Sequence, residues 1–426
     1  MIGFAGLSHL GIVSSAAAAA KGFQVAAYDR APGLAGRLAQ GELPVFEPEL
    51  AETIAAAGSR LRYTSRARDL EACELVVISL DVPTDDGNRS EVAPLEALID
   101  EVLEVLHPGA VLVILSQVPP GFMRRLAARR KDALERRGIL LYGQVETLIF
   151  GRAVERALKP ERFIVGASEP RAPLPPAYAE YLAAFGCPVL PMRYESAELA
   201  KISINVFLAA SLSATNTLAE LCERVGADWQ EIVPALRLDA RIGAHAYLAP
   251  GLGIGGGNIE RDLVAVKSLA AEHGTEACVP SAFLEHSRVR RDWVLRELHR
   301  HVLSCQARPV VALWGLAYKP GTKSTKNSPS LALLDALGGV RTRAYDPQVS
   351  LDPRYAGAVQ VASPLEACRG AHALVVMTAL DEFSALSPVD VRGALARPVV
   401  IDPQGVFRTK ELAREGFVYS TLGKAN

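Results

Sequence analysis

The first residues with the types and spacing for chemistry stand at the start of the chain, in Ile2-Gly-Phe-Ala-Gly6-Leu-Ser8-His-Leu-Gly11. A short apolar run leads into glycines at 6 and 11, and a helical stretch follows. In a strand–turn–helix of the form GxGxxG, the first glycine makes the turn. The second lets the backbone approach a pyrophosphate, and the third packs helix on strand. The helix N-terminus then offers N–H groups and the positive end of its dipole. Gly6 and Gly11 fill the first and third places, and Ser8 the second. A side chain at Ser8 would either crowd a pyrophosphate or hydrogen-bond it. Asp29 closes the next apolar run, at the roughly 20-residue spacing where a carboxylate binds ribose hydroxyls. That charge would repel a 2′-phosphate and favours NAD over NADP, while Arg30 beside it argues the other way. GxSxxG is a weak pattern by itself, so a nucleotide fold with a weakened or lost dinucleotide site stays open. His9 reads as an ordinary helix-start residue without a role.

Such residues need a sheet to hold them. Ile2–Ala5, Gln24–Ala27, Leu75–Ser79, Val111–Leu115 and Ile139–Tyr142 read as strands separated by helices, a βαβ pattern that predicts a parallel sheet. Arg162–Gly166 and Pro188–Leu190 are further strand candidates. From about Tyr194 to Arg296 the periodicity becomes helical. Ser196–Arg224 contains no Pro or Gly and reads as one long helix. From Pro309 a second alternation begins, with strands at Val310–Trp314, Val340–Tyr345, Ala373–Met377 and Val399–Ile401. The expected class is α/β, with two Rossmann-like doubly wound α/β domains joined by a central helical domain. The expected boundaries are 1–193, 194–300 and 301–426.

Bulk properties narrow the function classes. At 426 residues, 50% apolar and 22% charged, the chain has the composition of an ordinary globular protein. A net charge of −1 argues against nucleic-acid binding by bulk electrostatics. No 18-residue window is uninterruptedly apolar, so no membrane span is expected. The run Ala16–Ala20 lacks a basic segment before it and reads as a helix packed on a sheet in a cytoplasmic protein. The six cysteines form no CxxC and have no His at ligand spacing, so buried reduced thiols and no metal are expected.

Several further segments, in order along the chain, carry a resemblance. They are Leu75-Val-Val-Ile-Ser-Leu-Asp-Val-Pro83-Thr84 and Ser116-Gln117-Val-Pro-Pro-Gly121. Then come Glu195-Ser-Ala-Glu198-Leu-Ala-Lys201-Ile-Ser-Ile-Asn205, Asp239-Ala-Arg241-Ile-Gly243, Gly251-Leu-Gly-Ile-Gly-Gly-Gly-Asn-Ile-Glu-Arg-Asp262 and Trp314-Gly-Leu-Ala-Tyr-Lys319-Pro-Gly-Thr322. Together they resemble the UDP-glucose/GDP-mannose (nucleotide-sugar) dehydrogenase family over nearly the whole chain. The resemblance implies an NAD-dependent oxidoreductase acting on a nucleotide-linked sugar, of the kind used in polysaccharide or glycoside biosynthesis. It implies a homodimer through the central helices, with no nucleic-acid or membrane partner. It implies cofactor contacts at Gly6, Ser8, Gly11, Asp29, Arg30, Pro83, Thr84, Ser116 and Gln117. Catalytic roles fall on Lys201, Asn205, Asp262 and Glu146. Substrate contacts fall on Arg241, Tyr247, Gly253, Gly255, Gly256, Asn258, Lys319 and Lys326.

The departures from that family form a pattern. Its active-site loop resembles 251–262 but carries a cysteine where this chain has Asn258, and Pro-Lys where it has Glu260-Arg261. An amide cannot form the thiohemiacetal that a thiolate forms. Gln117 stands at a family threonine, and Phe150 at the second glutamate of a run that keeps Glu146. The acid-forming apparatus is altered as a set, whereas Lys201, Asn205 and Asp262 remain. Lys201 and Asn205, four apart, share a helix face. A lysine near a carboxylate and a hydride acceptor can stabilise an alkoxide or relay its proton; the structural alternative is a Lys201–Asp262 ion pair holding the two segments together. At the substrate end, Lys326 replaces an arginine and Asp402-Pro-Gln404-Gly405 loses another, so diphosphate recognition loses bidentate contacts. Three readings follow. One is a single reversible hydride transfer, including epimerisation. Another is a catalytically silent nucleotide-sugar binder, and the third an ordinary two-step dehydrogenase with a substitute for the thiol.

Overall fold

The computed structural model describes every residue except 86–89, 409–411, 413–414 and 426. Its contacts divide the chain into two units, Met1–Ser203 and Ile204–Asn426.

The first unit is built on an eight-stranded sheet. Its strands are β1 (Ile2–Ala5), β2 (Val25–Tyr28), β3 (Leu61–Thr64), β4 (Leu75–Ile78), β5 (Val111–Ile114), β6 (Leu140–Gln144), β7 (Phe163–Ala167) and β8 (Val189–Arg193). The spatial order is β3-β2-β1-β4-β5-β6-β7-β8. β1, β2, β4 and β5 are buried along their whole length, as strands covered on both faces must be. Two apolar clusters form that cover, one around Phe4, Leu38 and Tyr178, the other around Tyr28, Ile99 and Ile114. The Ala-rich helix His9–Ala20 is buried from Leu10 to Ala19, as its small residues suggest. Two points differ from the periodicity reading. β3 (Leu-Arg-Tyr-Thr) alternates with polar residues and carries no apolar run. β7 runs antiparallel to β6, a reversal that local periodicity does not encode.

The second unit begins with helices and ends in a six-stranded parallel sheet. That sheet comprises β9 (Val310–Trp314), β10 (Arg341–Tyr345), β11 (Ala358–Gln360), β12 (Ala373–Val376), β13 (Val399–Ile401) and β14 (Val418–Ser420), in the order β11-β10-β9-β12-β13-β14. Both sheets therefore reverse direction of winding beside their first strand, between β1 and β4 and between β9 and β12. In open α/β sheets ligands bind at such switch points, outside the carboxyl ends of the strands. The fold class is the expected one: two Rossmann-like sheets and a central helical region.

The same turn closes both first strands. Gly6 has φ of 92° and donates its N–H to the Tyr28 carbonyl at 2.9 Å; Leu7 donates to the Asp29 carboxylate at 2.6 Å. Gly315 has φ of 90° and donates to the Tyr345 carbonyl at 2.8 Å; Leu316 donates to Asp346 at 2.7 Å. In each case the carboxylate at the end of the second strand holds the glycine turn after the first.

One helix, Tyr194–Val225, runs for 32 residues. Among the described residues it alone passes a length-and-composition test for crossing a membrane, with a window of mean hydropathy 1.3. Its apolar residues are interrupted, but its average passes because Ser, Thr and Asn make up much of its polar content. Core helices of soluble proteins pass the same test when mostly buried; the apolar window of this helix is 28% buried.

Candidate active site

The dinucleotide turn is assembled by close packing. A methyl group at Gly11 would stand 1.8 Å from the Gly6 carbonyl oxygen, so only glycine lets the helix approach the turn this closely. The Ser8 hydroxyl is engaged within the protein. It donates to the Ser79 carbonyl at 3.3 Å and accepts the Asp81 N–H at 2.8 Å, tying the turn to the end of β4. The Asp29 carboxylate is buried and already accepts the N–H groups of Leu7 and Ala31, the latter at 2.7 Å. Its first task is the turn, and any ribose contact would have to use its remaining lone pairs. Arg30 is exposed, with a long 3.4 Å hydrogen bond to the Pro94 carbonyl. Pro83 and Thr84 lie in the loop after β4, where Thr84 bridges to Ser90. The turn fits a dinucleotide: glycine where helix and strand pack closest, and a helix N-terminus that its own N-cap residue Ser8 leaves uncapped.

Asp81, not among the sequence candidates, sits at that helix start. Its carboxylate accepts the Leu10 N–H at 3.4 Å. An anion there uses one of the N–H groups and part of the dipole field that a pyrophosphate would use.

A cavity of about 40 Å3 opens beside β5 and β6. Ser116, Gln117, Gln144, Glu146, Glu198 and Lys201 line it together with apolar side chains. The Lys201 ammonium donates to the Glu146 carbonyl at 2.8 Å and lies 3.3 Å from its Oε2. Both side chains are largely buried, so each charge depends on the other. The Glu146 carboxylate also accepts the Leu148 N–H, which folds the loop back on itself. One turn before Lys201, Glu198 accepts the N–H groups of Gly121 and Met123 at 2.6 and 2.8 Å, at the start of the helix Phe122–Arg129. Burial pushes its carboxyl upward against these hydrogen bonds. Glu198 thus holds the lysine-bearing helix to the turn following Ser116 and Gln117. Ser116 is buried at the end of β5.

The second unit holds its own candidates. Asn205 donates to Asp262 at 2.5 Å, and Arg261 lies 3.1 Å from the other carboxylate oxygen. Asp262 is 2% exposed, so Arg261 compensates its charge. Asn258 is exposed at the first position of the helix Asn258–His273. The glycine loop before it packs on protein. Added Cβ atoms would meet the Ser287 carbonyl oxygen at 2.5 Å from Gly253, and the Tyr318 ring at 3.3 Å from Gly255 and 3.0 Å from Gly256. Asn327 donates to the Gly256 carbonyl at 2.8 Å and to Glu260. Lys326 lays its aliphatic stem against Gly257, and Lys319 lies over the Tyr318 ring at 5.7 Å. Arg241 is exposed and held to Asp239 at 2.6 Å. Tyr247 offers its carbonyl to Ser211 and Thr215. Tyr318, Asn327 and Asp81 escaped the sequence reading because ordinary loop residues gain meaning only from what the fold brings to them.

No cysteine stands in the sequence of the loop 251–262. Burial pushes the thiols of Cys73 and Cys368 up to about 11 and about 12, and raises Cys187 and Cys222. Cys278 and Cys305 are exposed, and neither stands in 251–262. Among the described residues no group of three or more His, Cys, Asp or Glu is placed to hold a metal ion. The Asp81 geometry carries a prediction. Asp81→Asn removes a competing charge from the helix start, so NAD affinity measured by calorimetry should tighten about threefold, the size of one helix-terminus charge. Unchanged or weaker binding would show that Asp81 does not compete there.

Comparison with known proteins bears on the whole chain. It matches the UDP-glucose/GDP-mannose dehydrogenase family in three parts: the NAD binding domain over 1–180, the central domain over 195–287 and the UDP binding domain over 312–409. A UDP-glucose 6-dehydrogenase of Pseudomonas aeruginosa is 31% identical, over 98% of this chain and 96% of that protein. The TuaD UDP-glucose 6-dehydrogenase of Bacillus subtilis is 27% identical, over 98% and 92%. A solved UDP-glucose dehydrogenase from Pyrobaculum islandicum superposes with a TM-score of 0.84 at 26% identity, covering 98% and 96% of the two chains. With the glycine turn in place and an NAD binding domain matched at its N-terminus, this chain belongs to the UDP-glucose/GDP-mannose dehydrogenase family of NAD-dependent nucleotide-sugar oxidoreductases.

Proposed function

We propose that this protein oxidises a hydroxyl of a nucleotide-linked sugar by one reversible hydride transfer and does not proceed to the acid. The observation that carries the reading is the Lys201 ammonium, held by Glu146 in the cavity that Ser116 and Gln117 also line. When bound, NAD supplies the hydride acceptor. Lys201 then stands as the cation beside the developing alkoxide: as it takes the hydroxyl proton it gives one of its own ammonium protons to the Glu146 carboxylate or to solvent, so its charge is unchanged. The alcohol carbon loses a hydride and its oxygen a proton, leaving a carbonyl. Return of the hydride to the opposite face would give an epimer with no net redox change. Asn205 and Asp262 are carried over from the resemblance as assisting groups.

What limits the reaction is position 258. A carboxamide nitrogen has its lone pair delocalised and does not attack an aldehyde as a thiolate does. The companion positions hold Gln117 and Phe150, and the Phe150 ring packs at a tilt against His9 with ring centroids 4.5 Å apart. A carboxylate at 150 would therefore meet an aromatic contact. A second reading, a nucleotide-sugar binder without turnover, draws on Asp81 at the cofactor helix. Failure of NAD to bind at millimolar concentration would favour it.

We further propose the division 1–193, 194–300 and 301–426 into cofactor, helical and sugar-nucleotide parts, with Arg241, Lys319 and Lys326 as phosphate-facing cations. A cytoplasmic homodimer through the central helices completes the reading. Supporting the dimer, Phe207 and Val225 on the long helix are 77% and 74% exposed. Light scattering should give about twice 45.5 kDa; a monomer at micromolar concentration would contradict it. For the chemistry, Lys201→Ala should lower kcat by about 10²–10⁴-fold with little change in KM. An unchanged kcat would remove Lys201 from the mechanism.

A further inference from the structure

Glu47 is a buried carboxylate that the mechanism above does not use. It stands in the loop before the helix Leu50–Ala57, and its side chain is 1% exposed. A buried charge is costly unless hydrogen bonds and partners compensate it. Glu47 is compensated from two directions. It accepts the Gly151 N–H at 3.0 Å and the Ala153 N–H at 3.2 Å, where the helix Ala153–Leu158 begins. Its Oε1 also lies 2.8 Å from Nε2 of His9, the first residue of the helix His9–Ala20. An ionised carboxylate only accepts, so the imidazole donates. The His9 ring in turn packs at a tilt against Phe150.

These contacts make one joint. On one side is the helix start that receives the dinucleotide. On the other is the loop from Glu146 to Ala153, whose first residue holds Lys201 through its backbone carbonyl. We propose that Glu47, acting through His9, is a positioning residue that couples occupancy of the dinucleotide turn to the ordering of the Glu146–Ala153 loop, and so to the placement of Lys201. A ligand that immobilises the first turn of the helix fixes His9. His9 fixes the carboxylate, and the carboxylate holds the amides at 151 and 153. The proposal rests on the reading that NAD binds at this turn.

The test is amide hydrogen exchange of the full chain with and without NAD, resolved for the segment 146–158, with calorimetry to confirm binding. In the wild type NAD should slow exchange at Gly151 and Ala153 by roughly tenfold, the scale of one charge-assisted hydrogen bond. His9→Phe keeps the ring on Phe150 but loses the donor. It should bind NAD and lose that extra protection, and His9→Gln, which restores an N–H donor, should recover part of it. Glu47→Gln should lower kcat several-fold more than it raises KM for NAD. Equal protection in the wild type and His9→Phe would overturn the coupling, as would no NAD-dependent protection in the wild type. If calorimetry detects no NAD binding at all, the functional reading fails first, and the coupling falls with it.

Discussion

The site depends on a carboxylate that closes a glycine turn. A chain leaving a parallel strand must reverse within a few residues and present backbone N–H groups toward the switch point. Gly6 makes that turn with a positive φ, and Asp29 holds it by accepting the next N–H. Close contact of Gly11 with the Gly6 carbonyl then sets where the helix His9–Ala20 begins. The second unit repeats the device with Gly315 and Asp346. In both, strand order, turn and carboxylate form one arrangement: the sheet brings the second strand's end beside the first, and the carboxylate makes the adjacency stable.

The chemistry is decided by what surrounds two polar groups. Lys201 is a cation in a small, mostly apolar cavity, and the Glu146 carbonyl and carboxylate offset its desolvation. An ammonium held this way is suited to a developing alkoxide, where low dielectric makes its charge count. Asn258 is the opposite case: exposed, uncharged and without nucleophilicity. On the proposed reading the chain keeps the means for moving a proton during alcohol oxidation. It lacks, at 258, the means for trapping an aldehyde. Gln117 and Phe150 point the same way. An acid-forming enzyme would need all three positions to be compensated at once.

Much of this was legible in the sequence, for physical reasons that differ by element. Buried parallel strands such as Leu75–Ile78 and Val111–Ile114 announce themselves as apolar runs. The long helix shows in uninterrupted spacing without Pro or Gly. Edge strands do not: β3 and β11 lie at the ends of their sheets, and β14 is three residues long, so none needs an apolar run. Lys201 and Glu146 could be placed because they sit in motifs with a recognisable order. Glu47 could not, since a single glutamate in a loop reveals nothing until the fold brings residues about a hundred positions away against it. Asp29 was recognised as a strand-ending carboxylate, but its service to the turn appears only in the hydrogen bonds. The matching Tyr345-Asp346 at the end of β10 has no distinguishing motif around it, so its service to the Gly315 turn shows only in the hydrogen bonds.

The central claim is that oxidation stops after one hydride. It is tested most directly by counting NADH formed per nucleotide sugar consumed, with products identified by NMR, on the unmodified protein and a panel of nucleotide sugars. A single hydride transfer gives at most one NADH per sugar and a ketone, aldehyde or epimer as product. Two NADH per sugar, with a uronic acid in the spectrum, would contradict it and show that the chain supplies a nucleophile other than a thiol at position 258.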